Sequence, residues 1–251
     1  MSYPIIEIDR FKYCEIGEGE PIVLLHGLFG ALSNFNDLIV HFSPKYNVFI
    51  PLLPLFDLEL DDTTVSGMVD YVEAFIEFKQ LNHVHLIGNS LGGHIAQLYV
   101  LRHPEKVKSM TLTGSSGLFE SSLGDTYPRK SDYEYVKKKA EGTFYNPAMA
   151  SKELVDEVFE IVNNRHKAIR MVVMAKSALR HNLRDEITAI QQPVCLIWGK
   201  NDTITPPFVG EEFEKLLPNA ELNLLDECGH APMMEQPKVF NSILEQFLTK
   251  L

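Results

Sequence analysis

Cysteine, tryptophan and long apolar runs are what this 251-residue chain has least of. Its three cysteines, Cys14, Cys195 and Cys228, are odd in number, far apart and without metal-ligand spacing, which argues against disulfides and against a zinc site. Cys195, inside Pro193-Val194-Cys195-Leu196-Ile197-Trp198, reads as a core thiol. No uncharged apolar stretch approaches the ~20 residues that a membrane-spanning helix needs. The opening Met1-Ser2-Tyr3-Pro4 has no basic segment leading into an apolar one, so the expected location is cytoplasmic, with no membrane partner. Positive charge is scarce too. The 23 Lys and Arg against 34 Asp and Glu leave a net charge of −11, which disfavours a nucleic-acid partner or an anionic membrane surface. A small molecule is the expected partner, and the oligomeric state is open.

What the chain does have is enough apolar content, 45%, for one domain with room for an inserted subdomain. Strand-like apolar runs recur at Ile22-Val23-Leu24-Leu25, Val48-Phe49-Ile50, Val84-His85-Leu86-Ile87, Met110-Thr111-Leu112-Thr113, Val194-Cys195-Leu196-Ile197 and Leu222-Asn223-Leu224-Leu225, with helical patterns between most of them. Continuous rather than alternating apolar strands, separated by helices, indicate an α/β fold whose parallel sheet is covered on both faces. Ile5-Ile6-Glu7-Ile8 and Phe11-Lys12-Tyr13 alternate more and predict an antiparallel edge hairpin.

The rhythm breaks once. Between Thr113 and Pro193 no convincing strand is found, and the pattern is helical: Ser151 opens one helix as its N-cap, and a second runs from about Arg165 to Arg180. The expected organisation is therefore a core of residues 1–114 and 193–251 with a helical lid at 115–192, placed where open α/β sheets bind ligands. Lys137-Lys138-Lys139 reads as a solvated helix face, Asp57, Glu59, Asp61 and Asp62 as an exposed loop, and Met171 and Met174 as core residues.

Chemistry concentrates at Gly88-Asn89-Ser90-Leu91-Gly92-Gly93, which sits directly between an apolar strand and a helix-like run. This is the pattern of a nucleophile elbow, in which glycines clear a sharp turn and the serine takes a strained conformation at the top of a sheet. The backbone N–H of Leu91 then lies at a helix start, where unpaired donors favour a developing negative charge. A serine hydroxyl needs a base. His230, in the loop Cys228-Gly229-His230-Ala231-Pro232 after the last strand, is the best placed of nine histidines. An imidazole in that role needs a buried carboxylate; Asp202, after Trp198-Gly199-Lys200-Asn201, is preferred, and Asp226 is the competitor. His26-Gly27-Leu28-Phe29-Gly30 ends another strand in a glycine-bearing turn, so that Leu28 N–H is expected to pair with Leu91 N–H as an oxyanion hole. His94 reads as a polar-core residue.

Together these motifs resemble the α/β-hydrolase superfamily, in particular its lid-bearing members of the meta-cleavage-product hydrolase and small serine esterase type, whose chain order is serine, aspartate, histidine. The resemblance runs from His26-Gly27 through Ser90 and Trp198-Gly199 to Gly229-His230, and leaves only the lid unmatched. It implies a mostly parallel eight-stranded sheet, no cofactor and no metal. It also makes His26, Gly27, Asn34 and Asn89 candidate substrate contacts, although Asn34 falls at an offset that needs a gap. Pro51-Leu52-Leu53-Pro54-Leu55-Phe56-Asp57 replaces the glycine-rich turn common in the family, and Ala231-Pro232-Met233-Met234 stands where carbon–carbon bond hydrolases tend to have an aromatic residue. The implied activity is a serine hydrolase of a small or medium ester or thioester, through an acyl-enzyme. Two rivals remain. Hydrolytic carbon–carbon cleavage would call on Arg165, Arg170, Arg180 or Arg184 to hold a substrate carboxylate, and a ligand-binding receptor on the same fold would bind without turnover.

Overall fold

Strands without a polar face need cover on both sides, and the element order supplies it. The computed structural model describes residues 3–30, 32–119 and 131–251. The hairpin of β1 (Ile6–Ile8) and β2 (Phe11–Ile16) leads into β3 (Glu20–Leu25), α1 (Asn36–Phe42), β4 (Tyr46–Pro51), α2 (Val65–Phe78), β5 (Val84–Asn89), α3 (Leu91–Arg102) and β6 (Val107–Thr113). Three helices follow, α4 (Tyr133–Glu141), α5 (Lys152–Asn163) and α6 (Arg165–Arg180), before β7 (Val194–Gly199), α7 (Pro207–Leu216), β8 (Ala220–Leu225), α8 (Pro232–Glu235) and α9 (Pro237–Thr249).

The eight strands form one sheet in the order β1-β2-β4-β3-β5-β6-β7-β8. The β1–β2 and β2–β4 pairs are antiparallel and the others parallel. Successive residues send their side chains to opposite faces. Val23, Leu25, Leu86, Leu112, Leu196 and Trp198 pack toward α2, α3 and α7, whereas Ile22, Leu24, Ile87, Cys195 and Ile197 pack toward α1 and α9. Each such side chain contributes roughly 1.5–3 kcal/mol on burial, and this two-sided cover is why the strands read as unbroken apolar runs. Helix α3 is buried from Leu91 to Val100, which leaves it without a polar stripe.

Strand order reverses beside β3. From it the chain passes first to β4 on one side and then, through α2, to β5 on the other, so the carboxyl ends of β3 and β5 lie together, with Leu25 opposite Gly88. A crevice forms at such a reversal.

Helices α4, α5 and α6 form the insertion between β6 and β7, of which residues 120–130 lie outside the described set. Each helix starts on a side-chain cap: Asp132 accepts from Tyr135 N–H, Ser151 from Leu154 N–H, and Asn164 from His166 and Lys167 N–H. The insertion carries a small core of Val136, Ile161, Val162 and Met171, packed on Leu28, Phe29 and Phe56 of the main body. Arg170 adds a polar tie, donating to the Leu58 carbonyl from Nε (3.0 Å) and Nη2 (2.8 Å). Met171 and Met174 are buried, as is Cys195, and Asp57, Glu59, Asp61 and Asp62 are exposed. Among the described residues no helix is long and apolar enough to cross a membrane.

Candidate active site

Strand β5 ends at Asn89 and α3 begins at Leu91, so the whole turn between them is Ser90, at φ 54° and ψ −120°. That region costs an L-residue about 1–3 kcal/mol and persists only where surroundings enforce it. Here they do. Ser90 N–H donates to the Thr113 carbonyl (3.1 Å), and its own carbonyl accepts from the N–H groups of Gly93 (3.0 Å), His94 (3.3 Å) and Ser116 (3.2 Å). A side chain at Gly88 would lie 2.5 Å from the Gly92 carbonyl oxygen, and one at Gly92 would overlap the Leu25 carbonyl.

The preferred aspartate meets the preferred histidine. His230 Nδ1 and Asp202 Oδ2 are 2.8 Å apart, with the two side chains 7% and 0% exposed. Asp202 is held by three further donors: Ile204 N–H (2.8 Å) and Thr205 N–H (3.0 Å) on Oδ1, and the Thr205 hydroxyl (2.9 Å) on Oδ2. A carboxylate accepts only, so His230 presents Nδ1–H to it and leaves Nε2 as the basic atom. The competitor, Asp226, is 80% exposed and pairs with Lys200 at 2.8 Å; it takes no part in this cluster.

Asn89 couples the elbow to the histidine loop: its Nδ2 donates to the carbonyls of Thr113 (3.0 Å) and His230 (3.2 Å). Gly27 lies against Ser90, since a Cβ there would be 3.1 Å from Ser90 Cβ. The same turn carries Leu28, and Leu91 is the first residue of α3, whose leading N–H groups have no intrahelical acceptor. His26 is committed elsewhere. Its Nε2 accepts from Leu53 N–H (3.1 Å), which leaves Nδ1–H to donate to the Gly27 carbonyl (2.8 Å), and burial lowers its pKa and keeps the ring neutral. Of the four residues marked as substrate contacts, His26 and Asn89 thus have their ring or amide donors on backbone. Gly27 offers backbone alone, and Asn34 has a buried Oδ1 without a hydrogen-bond partner among the described residues.

Other buried titratable groups are held uncharged. His94, against the His181 ring at 5.7 Å, has its pKa pushed down to about 3 by burial and by that neighbour. Burial pushes the Cys195 and Cys228 thiols up to about 12, so neither is a nucleophile at neutral pH. Among the described residues, no three or more His, Cys, Asp or Glu side chains converge as metal ligands.

Two supporting residues escaped the sequence reading. Thr205 had a local signal, because Asp202-Thr203-Ile204-Thr205 ahead of Pro206 is the composition of a side-chain-closed turn. Glu235, which accepts from Gly229 N–H (2.8 Å), had none, because nothing local marks a carboxylate folding back six residues.

Residues 22–243 match the Alpha/beta hydrolase family. A solved alpha/beta hydrolase enzyme from the metagenome of sediments of the Mar Chica lagoon, Morocco, is 42% identical, with a TM-score of 0.82 and 98% of each chain covered. Monoacylglycerol lipase abhd6-A of Xenopus laevis is 26% identical over 291 residues, covering 100% of this chain and 83% of its own length. The meta-cleavage product hydrolase of Pseudomonas fluorescens shares the fold at a TM-score of 0.84 and 22% identity, with 96% of this chain and 94% of that chain covered.

Proposed function

Since the chain belongs to the Alpha/beta hydrolase family, we propose that it is a serine hydrolase that cleaves a small or medium carboxylic ester or thioester through an acyl-enzyme. Ser90 Oγ attacks the carbonyl while His230 Nε2 takes its proton, and Asp202 holds the imidazole and balances its charge. The N–H groups of Leu28 and Leu91 receive the oxyanion, each such donor being worth roughly 10²–10³ in rate. His230 then returns the proton to the leaving alcohol or thiol, and a water activated by the same histidine releases the acid.

The observation that carries this reading is the buried 2.8 Å contact between His230 and Asp202, on the same sheet edge as the strained Ser90. The acyl side is read as apolar. Leu28 and Phe29 of the oxyanion turn, together with Phe56, pack under the insertion with Val158 and Phe159. We take the insertion, residues 115–192, as a lid over that end.

The arginines weigh against carbon–carbon cleavage of a diacid. Arg170 is spent on the Leu58 carbonyl and Arg184 pairs with Glu212 at 3.1 Å, while Arg165 and Arg180 are exposed. The test is hydrolysis of p-nitrophenyl esters from acetate to decanoate by wild type and Ser90→Ala in parallel. Serine-dependent release with a chain-length optimum is expected, and loss of the nucleophile should cost ~10⁴–10⁶-fold. A Ser90→Ala enzyme keeping more than a few per cent of its rate would overturn the mechanism.

A further inference from the structure

His230 is gripped from two directions. Asn89 takes its carbonyl from the elbow side, and its N–H donates to the Thr143 carbonyl (2.9 Å), which belongs to the insertion. The preceding residue repeats this arrangement through a side chain. Glu235, the last residue of α8, accepts from Gly229 N–H on Oε1 and from Tyr145 N–H on Oε2, both at 2.8 Å. Its carboxylate thus spans the loop that bears the catalytic histidine and the segment that follows α4. No side chain at Gly229 could occupy the gap between them: a Cβ there would lie 2.7 Å from the Thr143 carbonyl oxygen and 2.8 Å from Tyr145 N. The same stretch also reaches the aspartate loop, where Thr203 Oγ1 donates to the Gly142 carbonyl (3.0 Å).

The bonds are of the stronger kind, because an ionised acceptor roughly doubles a neutral hydrogen bond. Burial raises the Glu235 carboxyl, and its backbone donors, Tyr145 and Gly229 first, oppose that rise. An alanine would remove the acceptor of the part-buried Gly229 N–H, at a cost that the loop relieves by moving, and would release the exposed Tyr145 N–H to solvent. A shift of about 1 Å in a catalytic base costs on the order of 10²-fold in rate.

We propose that Glu235 is a positioning residue that transmits the seating of the insertion to His230, so that the base is aligned only while residues 142–145 are docked. This rests on His230 being the base of a Ser90 hydrolase. It gives the enzyme an active form that requires the insertion in place, with the Glu235 carboxylate acting beside the direct His230–Thr143 and Thr203–Gly142 bonds.

Glu235→Ala, Glu235→Gln, Tyr145→Pro and Ser90→Ala should be compared on one p-nitrophenyl ester, with kcat and KM separated. The low-field proton resonance of His230 Nδ1–H should be followed in the same folded samples. Glu235→Ala should lower kcat about ten- to hundredfold with KM within about twofold, and should shift or broaden that resonance. Glu235→Gln, which keeps one carbonyl acceptor, should recover part of both. Tyr145→Pro removes the donor on the insertion side, together with the exposed hydroxyl that donates to Glu227 (3.5 Å), and should give a similar kcat loss. The Glu235→Gln/Tyr145→Pro double variant should lose less than the two single losses combined, as expected for two ends of one link. Wild-type kcat and an unmoved resonance in Glu235→Ala would overturn the proposal, and so would a normal kcat in Tyr145→Pro. If Glu235→Ala does not fold, the Gln and Pro variants decide the matter. A fully active Ser90→Ala enzyme would instead remove the serine mechanism beneath it, so the two failures are distinct.

Discussion

Asp202→Asn keeps the shape of the site and reverses two hydrogen bonds. In the native protein Oδ1 accepts two backbone donors, from Ile204 and Thr205, whereas Oδ2 accepts from the Thr205 hydroxyl and His230 Nδ1. Backbone N–H groups cannot turn round, so they select the amide oxygen of Asn for the Oδ1 position. The amide nitrogen then occupies the Oδ2 position. Thr205 adapts by rotating its hydroxyl to accept, but His230 can adapt only by giving up its Nδ1 proton and carrying it on Nε2. An imidazole protonated at Nε2 cannot take the proton of Ser90. The loss should approach the ~10⁴-fold typical of a triad locked in the wrong tautomer, about 5 kcal/mol of transition-state stabilisation. The assay is steady-state kcat on a p-nitrophenyl ester, with thermal melts to show that the variant stays folded; its melting temperature should move little, because the backbone donors of Ile204 and Thr205 keep their acceptor. Asp226→Asn is the control and should leave kcat unchanged, since that side chain is 80% exposed and faces Lys200. A kcat within tenfold of wild type for Asp202→Asn, or a larger loss for Asp226→Asn, would refute the reasoning.

Three further outcomes concern stability. His94 is held near a pKa of about 3 against 6.5 in a free side chain, and His26 is lowered too, so the unfolded chain binds protons that the native one does not. Stability from His94 is complete above about pH 6.5 and is lost as pH falls toward 3, by up to ~1.4 kcal/mol per pH unit, and His26 adds a loss of the same sign. Urea melts of His94→Gln against wild type across that range should show a shallower pH dependence in the variant; parallel curves would mean that His94 does not carry this term. Gly92→Ala places a methyl on the Leu25 carbonyl and should cost more than ~4 kcal/mol or abolish soluble expression. Gly142→Ala, at φ −68° with the Lys138 carbonyl oxygen 3.4 Å from an added Cβ, should be neutral or stabilise by about 0.4–1 kcal/mol in the same melts.

The sheet was legible in the sequence because burial on both faces writes itself as runs such as Val194–Ile197, and every such run became a strand. The edge hairpin was legible for the opposite reason: Ile6–Ile8 alternates and is only partly covered. Ser90 could be found because a one-residue turn between strand and helix tolerates so few neighbours that the glycines mark it. Asp202 over Asp226 was a preference from loop context, and the structure brings only Asp202 to the histidine. Contacts between residues remote in sequence left no local pattern. Arg170 meeting Leu58, or Glu235 meeting Tyr145, joins segments whose composition says nothing of one another. The family resemblance marks His26 and Asn89 as substrate contacts, whereas their hydrogen bonds to backbone groups of the tight turns could not be read from the sequence.

The insertion's small core borrows Leu28, Phe29 and Phe56 from the main body. The two parts are therefore not interchangeable modules. An insertion grafted from a relative to change chain-length preference would land on a Leu28–Phe29 turn shaped for different side chains, and under the proposed mechanism a poor fit would register as slower turnover before it registered as altered selectivity. Exchanging positions 28, 29 and 56 together with the helices is the smaller design risk, even though the first two of those positions lie some hundred residues earlier in the chain.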